Sequence, residues 1–284
     1  MKETKTAIIT VRYAFDAEKF RKNLLAIAKE FPIYVFDNSK EPIDTSGIAN
    51  LHYLHEGENR GLMYGINRCV EAALQEGKEV AVYFDQDSHT DPALIRSLNE
   101  SFETVRKSDP KLFALGPLPV RKDQTPYDIH PVSEPQPGLF LVEELITSGS
   151  VFSLRAIEEV GFYDEGLFVD TGDFEICWRA GERGYHCYID TRIRMVHEIG
   201  VENLRVLGKT MPISSPLRNY YQTRNITALL LRRPLYRKYQ IHFLRRLVNI
   251  TLNLLFVPPR LKRARYNLLG FYHGVIQKMG RLDV

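Results

Sequence analysis

Cysteine, tryptophan and long apolar runs are scarce in this sequence of 284 residues, which has three cysteines and one tryptophan. Cys69, Cys177 and Cys187 form no CxxC pair. We therefore expect no disulfide-stapled secreted domain, and the sparse set favours a reducing compartment. No uncharged apolar run reaches the roughly 18 residues of a transmembrane helix. The apolar stretch at residues 7–11 is also too short for the core of a secretory signal.

Several common sequence patterns are also missing. Glycine and proline, with 18 and 15 residues, follow no repeat period, which excludes collagen-like and low-complexity chains. Neither GxGxxG nor GxxxxGK[ST] occurs, so we expect neither a Rossmann dinucleotide site nor a P-loop. The hydrophobic fraction of 44% and the charged fraction of 26% are ordinary for a folded protein.

Acidic residues are nearly absent from the end of the chain. Residues 201–284 contain 16 lysines and arginines against only Glu202 and Asp283, a balance of +14. Residues 1–200 contain 22 basic and 33 acidic residues, a balance of −11. Such asymmetry favours an anionic partner for the basic part, such as nucleic acid, lipid headgroups or phosphorylated ligands. A solvated basic helical face is the alternative.

Strand and helix patterns alternate through the first 115 residues. Apolar runs at 6–12, 33–36, 51–55, 80–84 and 112–115 predict strands, and the stripes between them predict amphipathic helices. The alternation predicts an α/β fold with a mostly parallel sheet and helices on both faces. The proline-rich stretch 117–138 is expected to be an irregular connection.

The chain changes character near residue 215, where it becomes basic, aromatic and helical in pattern. We therefore expect a catalytic-type α/β domain at 1–214 and a basic helical segment at 215–284.

Two carboxylates follow the most apolar predicted strand. Asp85 and Asp87 come directly after the strand at 80–84, and ligands of open α/β sheets bind beyond the carboxyl ends of strands. Two carboxylates one residue apart suit a hard divalent cation shared with a bound diphosphate. A pair of turn-capping aspartates is the alternative.

Other polar residues follow the neighbouring strands. Arg12 follows the first, Asp37 the second, and Asn59-Arg60-Gly61 the third. An acid after the second strand is placed to bond a base or a ribose, by analogy with dinucleotide folds. Gly61 would let the backbone pass close to a phosphate, and Arg60 would neutralise it. An ordinary turn residue is the alternative for Asp37.

Seven segments carry a family resemblance. The chain resembles the GT-A glycosyltransferases of family 2, which have a Rossmann-like sheet, and among them the bacterial rhamnosyltransferases that use dTDP-L-rhamnose. The segments are VFDNS (35–39), ENRGLMYGINR (58–68), YFDQDS (83–88), SGSVFSLRAIEEVGFYDEGLFVD (148–170), DFEICWRAGERGY (173–185), His197 and RNYYQTRN (218–225). They cover about four-fifths of the chain in the expected order.

The resemblance implies roles for the donor-site residues. Asp37 would contact the pyrimidine base and Asp85 the ribose. Asp87 would bind the divalent metal, Mn²⁺ or Mg²⁺. His197 would approach the metal or the diphosphate, and a structural histidine is the alternative.

The resemblance also implies a catalytic base. Many family members have an acidic pair at the position of 172–173, and here Gly172 replaces the first acid. Asp173 therefore takes the role of base. Asp170, three residues earlier, is the alternative carboxylate.

These roles together describe an inverting, metal-dependent transfer of L-rhamnose to a lipid-linked surface polysaccharide of the O-antigen or cell-wall rhamnan type. One carboxylate would deprotonate the attacking hydroxyl while the nucleoside diphosphate departs. Three alternatives stay open: a family 2 enzyme with another nucleotide sugar, a nucleotide-sugar-binding scaffold without turnover, and a nucleic-acid-binding protein.

The C-terminal segment allows two interpretations as well. Arg218, Tyr221 and Arg224 suit contacts with an acceptor or a phosphate, and they equally suit helix packing. Residues 247–257 are apolar with basic flanks, which predicts an interfacial helix on the cytoplasmic face of the membrane. The alternative is packing against the catalytic domain or against a second copy of the chain.

Overall fold

The computed structural model describes residues 4–88, 90–197, 202–206 and 209–283. The strands are β1 (Thr6–Arg12), β2 (Ile33–Asp37), β3 (Leu51–His55), β4 (Val80–Tyr83), β5 (Leu112–Val120), β6 (Pro131–Gln136), β7 (Leu139–Val142), β8 (Val151–Ser153), β9 (His186–Val196), β10 (Glu202–Val206) and β11 (Lys209–Ile213). The helices are α1 (Ala17–Ile27), α2 (Leu62–Gln75), α3 (Pro92–Ser108), α4 (Leu154–Val160), α5 (Gly172–Glu182), α6 (Pro216–Arg232), α7 (Arg237–Phe256) and α8 (Arg260–Val275).

A nine-stranded sheet with the order β3-β2-β1-β4-β8-β5-β9-β7-β6 forms the first part of the molecule. Strands β1 to β4 are parallel to one another, and so are β5 and β9. Strand β8 runs antiparallel between β4 and β5. The carboxyl ends of β1, β2, β3 and β4 therefore meet at one edge, and the prediction of a mostly parallel sheet is confirmed.

Helices cover both faces of this sheet. Phe20 of α1 and Phe102 of α3 belong to one core cluster with Val35 of β2. Helix α2 lies on the opposite face, where a Cβ at Gly65 would stand 3.0 Å from Val11 and 3.1 Å from Phe36. Gly65 therefore serves the close approach of α2 to the sheet.

The stretch 117–138 contains more regular structure than the sequence pattern predicts. Strand β5 continues to Val120, and β6 pairs antiparallel with β7 at the end of the sheet. Prolines are tolerated in β6 because an edge strand leaves one row of backbone groups unpaired. The prediction of a wholly irregular connection was wrong for this reason.

The chain divides into two compact units. The first comprises Met1–Asp164 and Asp173–His197, and the second comprises Glu165–Gly172 and Glu198–Val284. The second unit thus takes a short segment from within the sequence of the first. Residue 214, after which the sequence pattern predicted a boundary, lies inside the second unit, which also contains the hairpin of β10 and β11.

The second unit is held together by α6 and α8, which approach each other closely. A Cβ at Gly270 would stand 2.6 Å from the carbonyl oxygen of Tyr220, and one at Gly274 would stand 2.7 Å from Thr227. Among the helices in the described ranges, none has the length and apolarity that crossing a bilayer requires.

Candidate active site

A buried ion pair joins the carboxyl ends of β1 and β2. The Arg12 guanidinium donates to Asp37 at 2.8 Å, with 8% and 0% of the two side chains exposed. Arg12 also donates to the carbonyl oxygen of Phe15 and to the hydroxyl of Ser39, both within 3.2 Å. Every polar atom of this guanidinium therefore has a partner at the strand ends.

Hydrogen bonds keep Asp37 ionised in spite of its burial. Burial raises the pKa of this carboxyl, but donation from Tyr53 at 2.5 Å, from the Ser39 backbone at 2.9 Å and from Arg12 outweighs it, so the pKa is lowered overall. Burial and the bond to Asp37 in turn raise the pKa of Tyr53. In this conformation both carboxylate oxygens of Asp37 accept hydrogen bonds from the protein.

The predicted residues after β3 are tied to the end of β2 through Asn38. Its side-chain oxygen accepts from the Arg60 backbone at 2.8 Å, and its amide donates to the carbonyl of Gly61 at 3.0 Å. Asn59 accepts from the Gly61 backbone at 3.0 Å. Gly61 precedes α2 with φ of 99°, a value that favours glycine.

The Arg60 side chain reaches the surface. Its guanidinium pairs with Glu58 at 3.0 Å and lies 4.8 Å from the ring centre of Tyr64. It is 44% exposed, so it is available to an anion at this edge of the sheet.

The turn after β4 presents two carboxylates to solvent. Asp85 and Asp87 are exposed, while Gln86 between them accepts from the backbone N–H of Tyr13 at 2.7 Å. The backbone N–H of Asp85 donates to Ser148 at 3.1 Å. The turn is thereby fixed to the end of β1 and to the loop before β8.

His197, at the end of β9, is half-buried, and its backbone donates to Val120 at 2.9 Å. Two residues earlier, Met195 packs beside Gly149, where a Cβ would stand 2.2 Å from the Met195 sulfur. Within the described ranges, which omit His89 and 198–201, no three His, Cys, Asp or Glu side chains form a metal-binding group.

The two candidate bases have different surroundings. Asp173 is half-buried in the first turn of α5, where it accepts from the backbone N–H of Phe174 at 3.0 Å. Asp170, in the second unit, accepts two hydrogen bonds from the guanidinium of Arg218. Asp170 is therefore held in an ion pair with Arg218.

The three residues proposed as acceptor or phosphate contacts lie in α6, and two of them are buried. Tyr221 is 4% and Arg224 is 0% exposed, and Arg224 donates to backbone carbonyls within the second unit. Arg218 is 48% exposed and pairs with Asp170. In this conformation helix packing accounts for Tyr221 and Arg224.

Sequence reasoning missed four residues that hold the strand ends in place: Ser39, Tyr53, Gln86 and Ser148. Each acts through a partner that is distant in sequence, so no local pattern marks it. For Tyr53, strand alternation gives a signal, because it places Tyr53 on the same face as His55, whose register partner in β2 is Asp37.

Two comparisons bear on the family. The chain is 32% identical to the dTDP-rhamnosyl transferase RfbF of Shigella flexneri over 196 residues, which span 64% of this chain and 64% of that protein. This similarity confirms the predicted resemblance to rhamnosyltransferases. No family model matches the chain.

A solved structure supports the fold. A crystal structure of GalNAc-T7 with UDP, GalNAc and Mn²⁺ matches 97% of this chain and 56% of that chain, with a TM-score of 0.57 and 12% identity. The match confirms the predicted GT-A fold. The chain spans less than two thirds of the length of either protein.

The Asp37 network predicts a specific pH dependence of stability. The pKa of Asp37 is lower in the folded state than its ordinary value of 3.8. Asp37 therefore stabilises the fold fully at pH values above 3.8, and this stabilisation is lost as the pH falls through the pKa of the folded state. Asp37→Asn should lower the free energy of unfolding by about 3 kcal/mol at pH 7, because it leaves Arg12 buried without a charge partner. Denaturant unfolding measured from pH 7 down to about pH 2 should show the difference from wild type shrinking below about pH 4.

Asp16→Asn is the matched control. Asp16 caps α1 through the Lys19 backbone at 2.8 Å, and asparagine caps equally well, so little change is expected at any pH. An Asp37→Asn loss that does not vary with pH would contradict the ionised, hydrogen-bonded state of Asp37.

Proposed function

We propose that this chain is an inverting, metal-dependent glycosyltransferase that transfers L-rhamnose from dTDP-L-rhamnose to a lipid-linked surface polysaccharide. The observation that carries the proposal is the hydrogen-bonded edge at which Arg12, Asp37, Arg60, Asp85 and Asp87 meet. The GT-A fold supports the use of a nucleotide sugar. The relative named for dTDP-rhamnosyl transfer supports rhamnose as the sugar.

The strand-end residues supply distinct parts of a donor site. Asp37 and its partners would shape the floor for the pyrimidine base, and Asp85 would bond the ribose. Arg60 would pair with the diphosphate, where a guanidinium binds two oxygens at once. His197 would approach the diphosphate from the end of β9.

The residues of the turn after β4 fit a divalent metal. Mg²⁺ and Mn²⁺ bind through one or two carboxylates and complete their shells with water and phosphate oxygens. Exposed carboxylates on a turn meet that requirement without a third protein ligand. Asp87 would be the direct ligand of the metal. When bound, the metal would stabilise the charge that develops on the leaving nucleoside diphosphate.

Asp173 would remove the proton from the attacking sugar hydroxyl. One base opposite one leaving group gives a single displacement with inversion at the anomeric carbon. Glu175 on the same helix is paired with Arg179 at 2.8 Å and is 5% exposed, so it is already committed to an ion pair. Asp173 is thus the carboxylate of this helix turn that suits the role.

The second unit would dock the enzyme on the cytoplasmic face of an anionic membrane, within reach of a lipid-linked acceptor. Helices α7 and α8 expose Leu244, Val248, Leu255, Phe256 and Leu268. The neighbouring Arg245, Arg260, Lys262 and Arg265 are exposed too. Each exposed cation near an anionic membrane surface contributes about 1 kcal/mol to the free energy of binding to that surface.

Arg246 and Arg263 flank the apolar residues 247–257 in the sequence, but they do not belong to the exposed surface of α7 and α8. Arg246 is 8% and Arg263 is 4% exposed. Arg246 bonds Gln222, Thr223 and Asn267 inside the unit. The attraction to headgroups must therefore come from the remaining exposed cations, and salt should weaken it readily.

Donor and metal binding are testable by thermal shift. Thymidine diphosphate and dTDP-L-rhamnose should raise the melting temperature in the presence of Mn²⁺ or Mg²⁺, because ligands that bind the native state stabilise it. Asp87→Ala should abolish the metal-dependent part of the shift, and Asp85→Ala should weaken nucleotide binding generally. Asp123→Ala, in an exposed turn, is the control and should behave as wild type.

A thermal shift with uridine or guanosine diphosphates only would reject dTDP-L-rhamnose as the donor. Full activity in excess chelator would reject the dependence on a metal.

The base assignment is testable by turnover. Asp173→Asn should lower kcat by about 100-fold or more, the usual scale for the loss of a general base, and leave donor binding nearly intact. Asp170→Asn should have a smaller effect, because Asp170 already pairs with Arg218. The assignment is wrong if Asp170→Asn shows the larger loss and Asp173→Asn does not.

Membrane docking is testable by liposome co-sedimentation. Binding should require anionic lipid and should fall as salt is added. The double variant Leu255→Ser and Phe256→Ser should bind less, since these side chains are 55% and 48% exposed. Val132→Ser on β6, which is 60% exposed, controls for loss of any surface apolar group. Equal binding to neutral liposomes, or none to either kind, would favour contact with a second copy of the chain.

A further inference from the structure

The segment 165–172 holds an unusual backbone conformation directly before the candidate base. It begins with a 3-10 turn at Glu165–Leu167. Phe168, Asp170 and Thr171 then have φ of 64°, 63° and 72°. This left-handed region is unfavourable for residues that carry a Cβ, so other contacts must hold the segment there.

Arg224 of α6 supplies the first of these contacts. Its guanidinium donates to the carbonyl oxygens of Gly166 at 3.1 Å and Leu167 at 2.9 Å, and also to that of Gly280. Gly280 in turn donates its own backbone N–H to Gly166 at 2.9 Å. The side chain is 0% exposed, so these bonds form away from competing water.

Asn225 continues the same contact along the segment. Its amide nitrogen lies 3.0 Å from the carbonyl oxygen of Leu167, 2.9 Å from that of Val169 and 3.0 Å from that of Asp170. Its oxygen accepts from Arg224 at 2.8 Å. The two neighbouring side chains thus bond to one another and to four carbonyls of the segment.

Side-chain contacts complete the arrangement. Arg218 holds the carboxylate of Asp170. The ring of Phe168 stacks on that of Tyr221 with centres 5.2 Å apart. Every turn of the first half of α6 therefore contributes a contact to this short segment.

We propose that Arg218, Arg224 and Asn225 form a clamp whose task is to position Asp173. Thr171 and Gly172 are the two residues between Asp170 and Asp173, so the backbone angles that the clamp enforces set where α5 begins. Displacement of a catalytic group by about 1 Å lowers turnover by about 100-fold. The clamp residues are positioning residues, and their role rests on the proposed transferase function. Under this proposal, Arg218 and Arg224 act on the segment 165–172, and contact with an acceptor or a phosphate is the alternative role for them.

The experiment compares Asn225→Ala with Asn267→Ala. Asn267 is also buried in the second unit, where it bonds Thr223, Arg246 and the Arg263 backbone and does not touch the segment. Steady-state transfer from dTDP-L-rhamnose is measured together with amide hydrogen exchange of residues 166–172. Arg218→Gln is a second variant that keeps the buried part of the clamp and changes an exposed side chain.

Asn225→Ala should lower kcat about 10- to 100-fold, leave KM for the donor within about twofold, and speed exchange in 166–172. Asn267→Ala should leave kcat and that exchange near wild type. Arg218→Gln should lower kcat with KM for the acceptor unchanged, and a rise in that KM instead would restore the acceptor-contact role.

Two different failures can be told apart. A wild-type chain that transfers no sugar from any nucleotide donor would overturn the proposed function and the clamp's catalytic role with it. An active wild type with unchanged kcat in Asn225→Ala and Arg218→Gln, or with equal losses in Asn225→Ala and Asn267→Ala, would overturn the clamp alone. If Asn225→Ala does not fold, Arg218→Gln decides by the same criteria.

Discussion

The buried ion pair between Arg12 and Asp37 is the constraint on which the edge of the sheet depends. Removing two charges from water costs several kcal/mol per ion, and only complete hydrogen bonding in good geometry offsets that cost. Arg12 and Asp37 meet this condition through Phe15, Ser39 and Tyr53. The loops after β1 and β2 therefore have one low-energy arrangement. The loops after β3 and β4 are bonded to them in turn, so hydrogen bonds link all four loops at this edge of the sheet.

The second unit also buries charged side chains, and residues 201–284 contain only two acids against 16 lysines and arginines. Arg224, Arg246 and Arg263 are buried, and they donate hydrogen bonds to amide, hydroxyl and carbonyl oxygens. Burial lowers the pKa of Arg246 to about 10, so it stays charged at neutral pH. Part of the positive charge that pointed to an anionic partner is thus used inside the protein, and the remaining exposed cations flank the apolar faces of α7 and α8.

Asp173 and the segment that precedes it belong to different units. Arg12, Asp37, Asp85 and Asp173 lie in the first unit, and Asp170 lies in the second. The segment 165–172 leaves the first unit at Asp164 and re-enters it at Asp173.

Local pattern alone determined much of this protein. Strands β1 and β3 and the carboxylates after β4 follow from periodicity and neighbouring residues, which act over a few positions. Tertiary structure decided the rest. The partners of Asp37, the edge pairing of β6 and the burial of Arg224 depend on residues tens of positions apart, and no local pattern records which of them will meet. A buried arginine and an exposed one look alike in the sequence, because only the surrounding carbonyls, brought together by folding, distinguish them.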